Sequence, residues 1–108
     1  MSTVSTHVLD AVSGGPAVGV PLTLTGADDA ELAAGITDAD GRNPALGQVD
    51  LDPGVYRLSF DTAAYFAAIG ISGFYPEVVI SFQITDDTAK YHVPLLLSPY
   101  AYSTYRGS

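Results

Sequence analysis

Asp52-Pro53-Gly54-Val55-Tyr56-Arg57-Leu58-Ser59-Phe60 is the stretch that decides the fold. Proline presets one backbone torsion and glycine tolerates unusual ones, so Asp52-Pro53-Gly54 makes a tight turn that restarts the chain. Along residues 55–60 the side chains alternate, with Tyr56, Leu58 and Phe60 on one face and Val55, Arg57 and Ser59 on the other. A period of two belongs to a strand with one buried face. The period then changes. Asp61 or Thr62 can cap a helix in which Tyr65, Phe66 and Ile69 fall at helical spacing, and Gly70 can end it in the left-handed region.

Outward from this stretch the chain is a series of short runs broken by turns. Residues 6–12 read as a first strand, closed by Ser13-Gly14-Gly15-Pro16, and residues 20–25 as a second, closed by Gly26 and an acidic turn. Residues 31–37 make a weaker third strand, because alanine and Gly35 have poor strand propensity. The Asp-Gly and Asn-Pro pairs mark residues 37–44 as a loop, and a short strand is expected at 48–51. Residues 74–84 and 89–97 are the two longest expected strands, joined by Thr85-Asp86-Asp87-Thr88, and residues 100–106 form the last. Seven or eight strands and one short helix predict an all-β fold, a sandwich of two sheets in one domain spanning residues 1–108.

Composition narrows the function. The 108 residues are 47% hydrophobic and 15% charged, a packed domain with no room for a second core. A mean hydropathy of +0.24, with seven Tyr and four Phe, points to apolar surface covered by another subunit, although a monomer with a rich core has the same composition. The net charge of −8 argues against nucleic acid, whose phosphates need a basic face. It also makes the four cations, Arg42, Arg57, Lys90 and Arg106, the places where an anionic small molecule can dock. There is no cysteine, hence neither a disulfide framework nor a thiolate zinc site. Residues 1–7 lack the basic and apolar segments of a secretory signal, and no apolar run has the length of a membrane span, so a cytoplasmic enzyme with no membrane partner is expected.

Only two histidines exist, His7 and His92, and both are placed inside expected strands. His7 shares a face with Ser5, Leu9 and Ala11; His92 shares one with Pro94, Leu96 and Ser98. Imidazole exchanges protons near neutrality without special tuning, so two on rigid strands can activate water and hold a heterocycle. Equally, each can be a hydrogen-bonded structural residue. Arg42 sits among Asp38 and Asp40, either as a solvated residue with local ion pairs or as a planar donor fork for an anionic or carbonyl-rich ligand. Arg106 lies in a tail that would fray on position alone, but Tyr100, Tyr102 and Tyr105 argue that it docks. Neither a phosphate loop nor a G-x-S-x-G elbow is present, and no H-x-H or H-x-x-x-H spacing supports a metal. Asp38-Ala39-Asp40-Gly41 lacks the remaining ligands of a calcium loop.

Taken together, several segments resemble one family. Thr6-His7-Val8-Leu9-Asp10, Gly15-Pro16-Ala17, Val20-Pro21-Leu22, Thr37-Asp38-Ala39-Asp40-Gly41-Arg42 and Phe74-Tyr75-Pro76-Glu77-Val78 are similar, in order, to segments of the transthyretin-like 5-hydroxyisourate hydrolases. The most specific similarity is the end, residues 91–100 followed by Ser103-Thr104-Tyr105-Arg106-Gly107-Ser108; the YRGS terminus separates these hydrolases from transthyretin proper.

The resemblance implies an eight-stranded sandwich and a homotetramer, a dimer of dimers with active sites at the dimer–dimer interface. It implies hydrolysis of 5-hydroxyisourate to 2-oxo-4-hydroxy-4-carboxy-5-ureidoimidazoline in urate breakdown, without metal or organic cofactor. Its catalytic set falls on His7, Arg42, His92 and Ser108, and its substrate-binding tail on Tyr105, Arg106 and Gly107. His7 or His92 would take the proton from water, with His7 favoured, and Arg42 would neutralise the oxyanion. Asn43 departs from the residue some relatives carry after the arginine. Two other functions compete: a non-catalytic carrier of a small aromatic ligand, and an adhesive module of a larger surface protein.

Overall fold

The computed structural model describes residues 2–86 and 88–107, and these form ten strands, one α-helix and one 3₁₀ helix. The strands are β1 (Thr3–Ser5), β2 (Val8–Asp10), β3 (Gly15–Pro16), β4 (Pro21–Gly26), β5 (Glu31–Ile36), β6 (Gly54–Phe60), β7 (Val78–Ile84), β8 (Lys90–His92), β9 (Leu95–Ser98) and β10 (Ala101–Thr104). One antiparallel sheet runs β5-β4-β6-β7. Its inward alternation is the one read at residues 55–60: Leu58 lies opposite Leu24 and Ile80, and Phe60 opposite Leu22 and Val78, all buried. Burying each such side chain contributes about 1.5–3 kcal/mol before the entropic cost of ordering it.

The facing layer is β10-β9-β2-β3, extended by the parallel pair β1-β8. Val4, Val8, Tyr91, Leu95 and Leu97 fill the same core as the other sheet. The sandwich and its short helix are therefore as expected, and counting β1-β2 and β8-β9 as two interrupted strands restores eight. The interruptions have causes. Pro94 has no N–H to give, so β8 ends at His92 and β9 begins at Leu95. Opposite it, Thr6 and His7 lie between β1 and β2 while Leu95 N–H donates to the His7 carbonyl at 3.0 Å.

Other boundaries moved. No strand covers residues 48–50; Asn43 caps a 3₁₀ helix at Pro44–Gln48 by accepting from Ala45 N–H at 3.0 Å, and Leu51 meets Ser2 in a single bridge. Asn-Pro chemistry outweighs the weak strand signal there. β7 begins at Val78 rather than 74, after the Pro76 interruption, and Phe74 stays exposed. The α-helix, α1 (Thr62–Ala68), is capped by Asp61, whose carboxylate accepts from Ala64 N–H at 3.0 Å. Tyr65 and Phe66 are buried as expected, while Ile69 falls at the C-cap and is exposed. Tyr65 ties α1 to the far sheet by donating its hydroxyl to Asp10 Oδ2 at 2.7 Å. Asp87, in the expected 85–88 connection, lies outside the described residues, and no described helix is long and apolar enough to cross a membrane.

Candidate active site

The parallel register of β1 and β8 places Ser5 directly opposite His92. Alternation along the first run sends Val4, Thr6 and Val8 into the core and leaves Ser5, His7 and Leu9 on the outward face. Paired residues on neighbouring strands point the same way, so His7 and His92 emerge on one face. The backbone beneath is fixed: Thr6 Oγ1 donates to the Val93 carbonyl at 2.7 Å, and Val93 N–H to the Ser5 carbonyl at 2.9 Å. Pro94 does not share the outward face with His92 as expected; it is buried, while Leu96 and Ser98 are half-buried.

Arg42 reaches this face from a loop that its acids build. Asp38 Oδ1 accepts from the backbone N–H of Asp40 at 2.9 Å and of Arg42 at 3.0 Å. The bond from Arg42 N–H is the main reason the Asp38 carboxyl sits below its ordinary range. Val8 N–H donates to the Gly41 carbonyl at 2.8 Å, which staples the loop to β2. Gly41 is required here: its φ is 76°, and a β-carbon would collide with the Val8 carbonyl oxygen. Of the two alternatives for Arg42, ion pairs with Asp38 or Asp40 do not form; among the described residues the one salt bridge joins Arg57 to Asp29 at 4.0 Å. Instead Arg42 Nη2 points to His7 Nδ1 at 3.4 Å.

The tail closes the group from the other side. Gly107 N–H donates to the His92 carbonyl at 2.9 Å, and the two residues form an isolated antiparallel bridge. A side chain at 107 would strike the imidazole, so Gly107 packs on the ring as only glycine can. Arg106 lies 4.7 Å above the ring centre of Tyr91, a cation–π contact. Tyr91 is itself pinned, its hydroxyl oxygen accepting from Thr85 N–H at 3.1 Å and Asp86 N–H at 2.9 Å. The tail thus docks through its backbone and Arg106, whereas Tyr100, Tyr102 and Tyr105 remain exposed on the single chain. Ser108 lies outside the described residues.

His92 is held neutral further into acid than a free imidazole. Burial pushes its pKa down, and the charges of Arg42 and His7 push it the same way. Ser5, Arg42, Lys90, Tyr91 and His92 line an open depression of about 460 Å³. His7, Arg42, His92 and Gly107 therefore converge from four distant segments, with Arg106 one step behind. Ser5 and Tyr91 had no assigned role in the sequence, although Ser5 shares the His7 face by simple alternation, while Lys90 was named only as one of four cations. Among the described residues no group of three or more His, Cys, Asp or Glu could hold a metal.

A two-sheet sandwich carrying paired imidazoles and a guanidinium on one strand face, closed by a docked C-terminal segment, defines a class of small polar-ligand sites. Residues 4–107 match the HIUase/Transthyretin family, and the chain belongs to it. It is 47% identical over 113 residues to the 5-hydroxyisourate hydrolase of Mus musculus, covering 99% of this chain and 96% of that protein. The structure of Klebsiella pneumoniae 5-hydroxyisourate hydrolase superposes with a TM-score of 0.90 at 39% identity, covering 100% of this chain and 94% of that one. Transthyretin from Sparus aurata superposes with a TM-score of 0.89 at 34% identity, covering 97% and 96%. Fold similarity alone does not separate the two functions; the site must.

Proposed function

We propose that this chain is a cyclic amide hydrolase that converts 5-hydroxyisourate to 2-oxo-4-hydroxy-4-carboxy-5-ureidoimidazoline in urate breakdown. The observation that carries the proposal is the convergence of His7, Arg42 and His92 on one outward face, with Arg42 Nη2 3.4 Å from His7 Nδ1. A neutral imidazole takes a proton from water while the water oxygen bonds to a ring carbonyl carbon, and the carbonyl electron pair moves onto oxygen. Arg42 stabilises that oxyanion. Collapse then breaks the ring C–N bond, and the departing nitrogen takes the proton back from the imidazolium. Every atom in this sequence comes from substrate, water and side chains, so it calls for neither metal nor organic cofactor. Tyr105, Arg106, Gly107 and Ser108 bind substrate and shield it, with Ser108 orienting the water.

The same proposal includes a homotetramer with sites at the dimer–dimer interface, and a cytoplasmic location. Exposed Phe74, Tyr100, Tyr102 and Tyr105 supply apolar surface for such contacts. The alternative, a carrier of a small aromatic ligand, draws on the likeness to Sparus aurata transthyretin. It leaves a cationic, hydrogen-bonding face without a purpose. Freshly oxidised urate distinguishes the two: a hydrolase accelerates substrate decay above the buffer rate, and a carrier retains ligand without turnover. Light scattering tests the tetramer, and cell fractionation tests the compartment.

A further inference from the structure

The proton inventory of the two histidines differs, and the difference assigns their tasks. Arginine has donors only, so a guanidinium pointing at His7 Nδ1 at 3.4 Å meets a lone pair there. Neutral His7 then carries its proton on Nε2 and presents a donor. His92 has the opposite surroundings. Its Nδ1 lies 2.8 Å from Ser5 Oγ, a hydroxyl that can accept the ring proton, and hydrogen bonding to the Ser5 backbone favours the protonated ring. A proton on Nδ1, shared with the Ser5 hydroxyl, leaves Nε2 of neutral His92 as the bare, basic nitrogen. Gly107 lies against the same ring, with no room for a side chain between them.

We propose that Ser5 is a positioning residue that fixes the Nδ1–H tautomer of His92, and that His92 Nε2 takes the proton from water while His7 donates a hydrogen bond. This rests on the hydrolase proposal and reverses the preference for His7 stated from the sequence. The hydroxyl matters because it accepts the Nδ1 proton in the ground state and stays bonded to it when His92 becomes charged. Ser5 and His92 come together only through the β1-β8 register.

The test is long-range ¹H–¹⁵N NMR of the histidine rings combined with kinetics for Ser5→Ala and Ser5→Thr. Wild-type His92 is expected as Nδ1–H and His7 as Nε2–H, without any substrate present. Ser5→Ala should mix the His92 tautomers and lower kcat about five- to tenfold with KM little changed, the loss expected for one hydrogen bond. Ser5→Thr should restore both. Wild-type His92 found as Nε2–H, or a Ser5→Ala protein with unaltered tautomer and kcat, overturns the assignment. Correct tautomers in a wild-type protein that does not hydrolyse 5-hydroxyisourate would instead sink the hydrolase proposal and leave the Ser5 geometry standing.

Discussion

Gly107→Ala is the sharpest single-atom perturbation available to this site. The added methyl would overlap His92 Cδ2 and lie 3.1 Å from Cγ and 3.2 Å from Cβ. Overpacking of this kind costs roughly 1–3 kcal/mol. The tail is held at this point by one backbone hydrogen bond to the His92 carbonyl, 2.9 Å long, worth about 1 kcal/mol net. The imidazole, by contrast, sits on β8, whose run against β1 and β2 is bonded throughout. The tail therefore yields and the ring stays. Two kcal/mol corresponds to about a thirtyfold loss of docked tail, at roughly 1.4 kcal/mol per decade. Activity on 5-hydroxyisourate should fall at least tenfold, while the melting temperature, set by the sandwich core, is unchanged. Steady-state rates beside a thermal melt are the assay. Full activity with a crystallographically docked tail would refute the reasoning.

Three further outcomes follow from named contacts. Arg42→Met should lower kcat/KM by roughly 10²- to 10³-fold, the cost of one oxyanion donor. With neutral His92 as base, wild-type kcat/KM is lost as pH falls through a value below 6.5; removing the Arg42 charge moves that limb upward, but burial, the larger cause, and the His7 charge keep it short of 6.5. Tyr65→Phe should cost about 1.5–3 kcal/mol at neutral pH, the range for a hydrogen bond to a charged group. Burial pushes the Asp10 carboxyl up, but Tyr65 and the Ser13 and Val12 amides together hold it below 3.8, so its contribution is present above 3.8 and lost as pH falls through the lower folded value. Tyr65 is pushed up to about 12 by burial and by Asp10, so its contribution is present below 10.0 and lost as pH rises through about 12; denaturant melts across pH should find the variant's deficit shrinking toward both extremes. Gly41→Ala should lower the melting temperature and raise KM together, because a left-handed alanine pressed on the Val8 carbonyl pushes the Arg42 loop off β2; an unchanged KM would detach the loop from substrate binding.

Local chemistry made much of the fold legible. The alternation at residues 55–60 predicted a strand that is buried on the face it named, and Asp61, one of the two cap candidates, caps the helix. Where the expectation moved, a backbone rule had competed with a propensity: Pro94 split one long strand, and the Asn43-Pro44 pair wound a 3₁₀ turn where a strand was expected. The site was legible only as a set of residue types. Ser5 and His92 are 87 positions apart, and His7 and Arg42 are 35 apart. No periodicity reports a parallel pairing between the first and penultimate runs, and the family resemblance filled that gap. It did not single out Ser5, whose role depends on one register, nor Tyr91, which looks like ordinary core until Arg106 is found over its ring.

The central claim is that the imidazoles of this face, with Arg42 beside them, turn over 5-hydroxyisourate. The direct measurement is the decay of substrate absorbance in freshly oxidised urate, for wild type and for a folded His7→Ala/His92→Ala double variant, each against buffer. Wild type should exceed the spontaneous rate by orders of magnitude, and the double variant should lose roughly 10²- to 10⁴-fold of that excess. A double variant as fast as wild type would contradict the account.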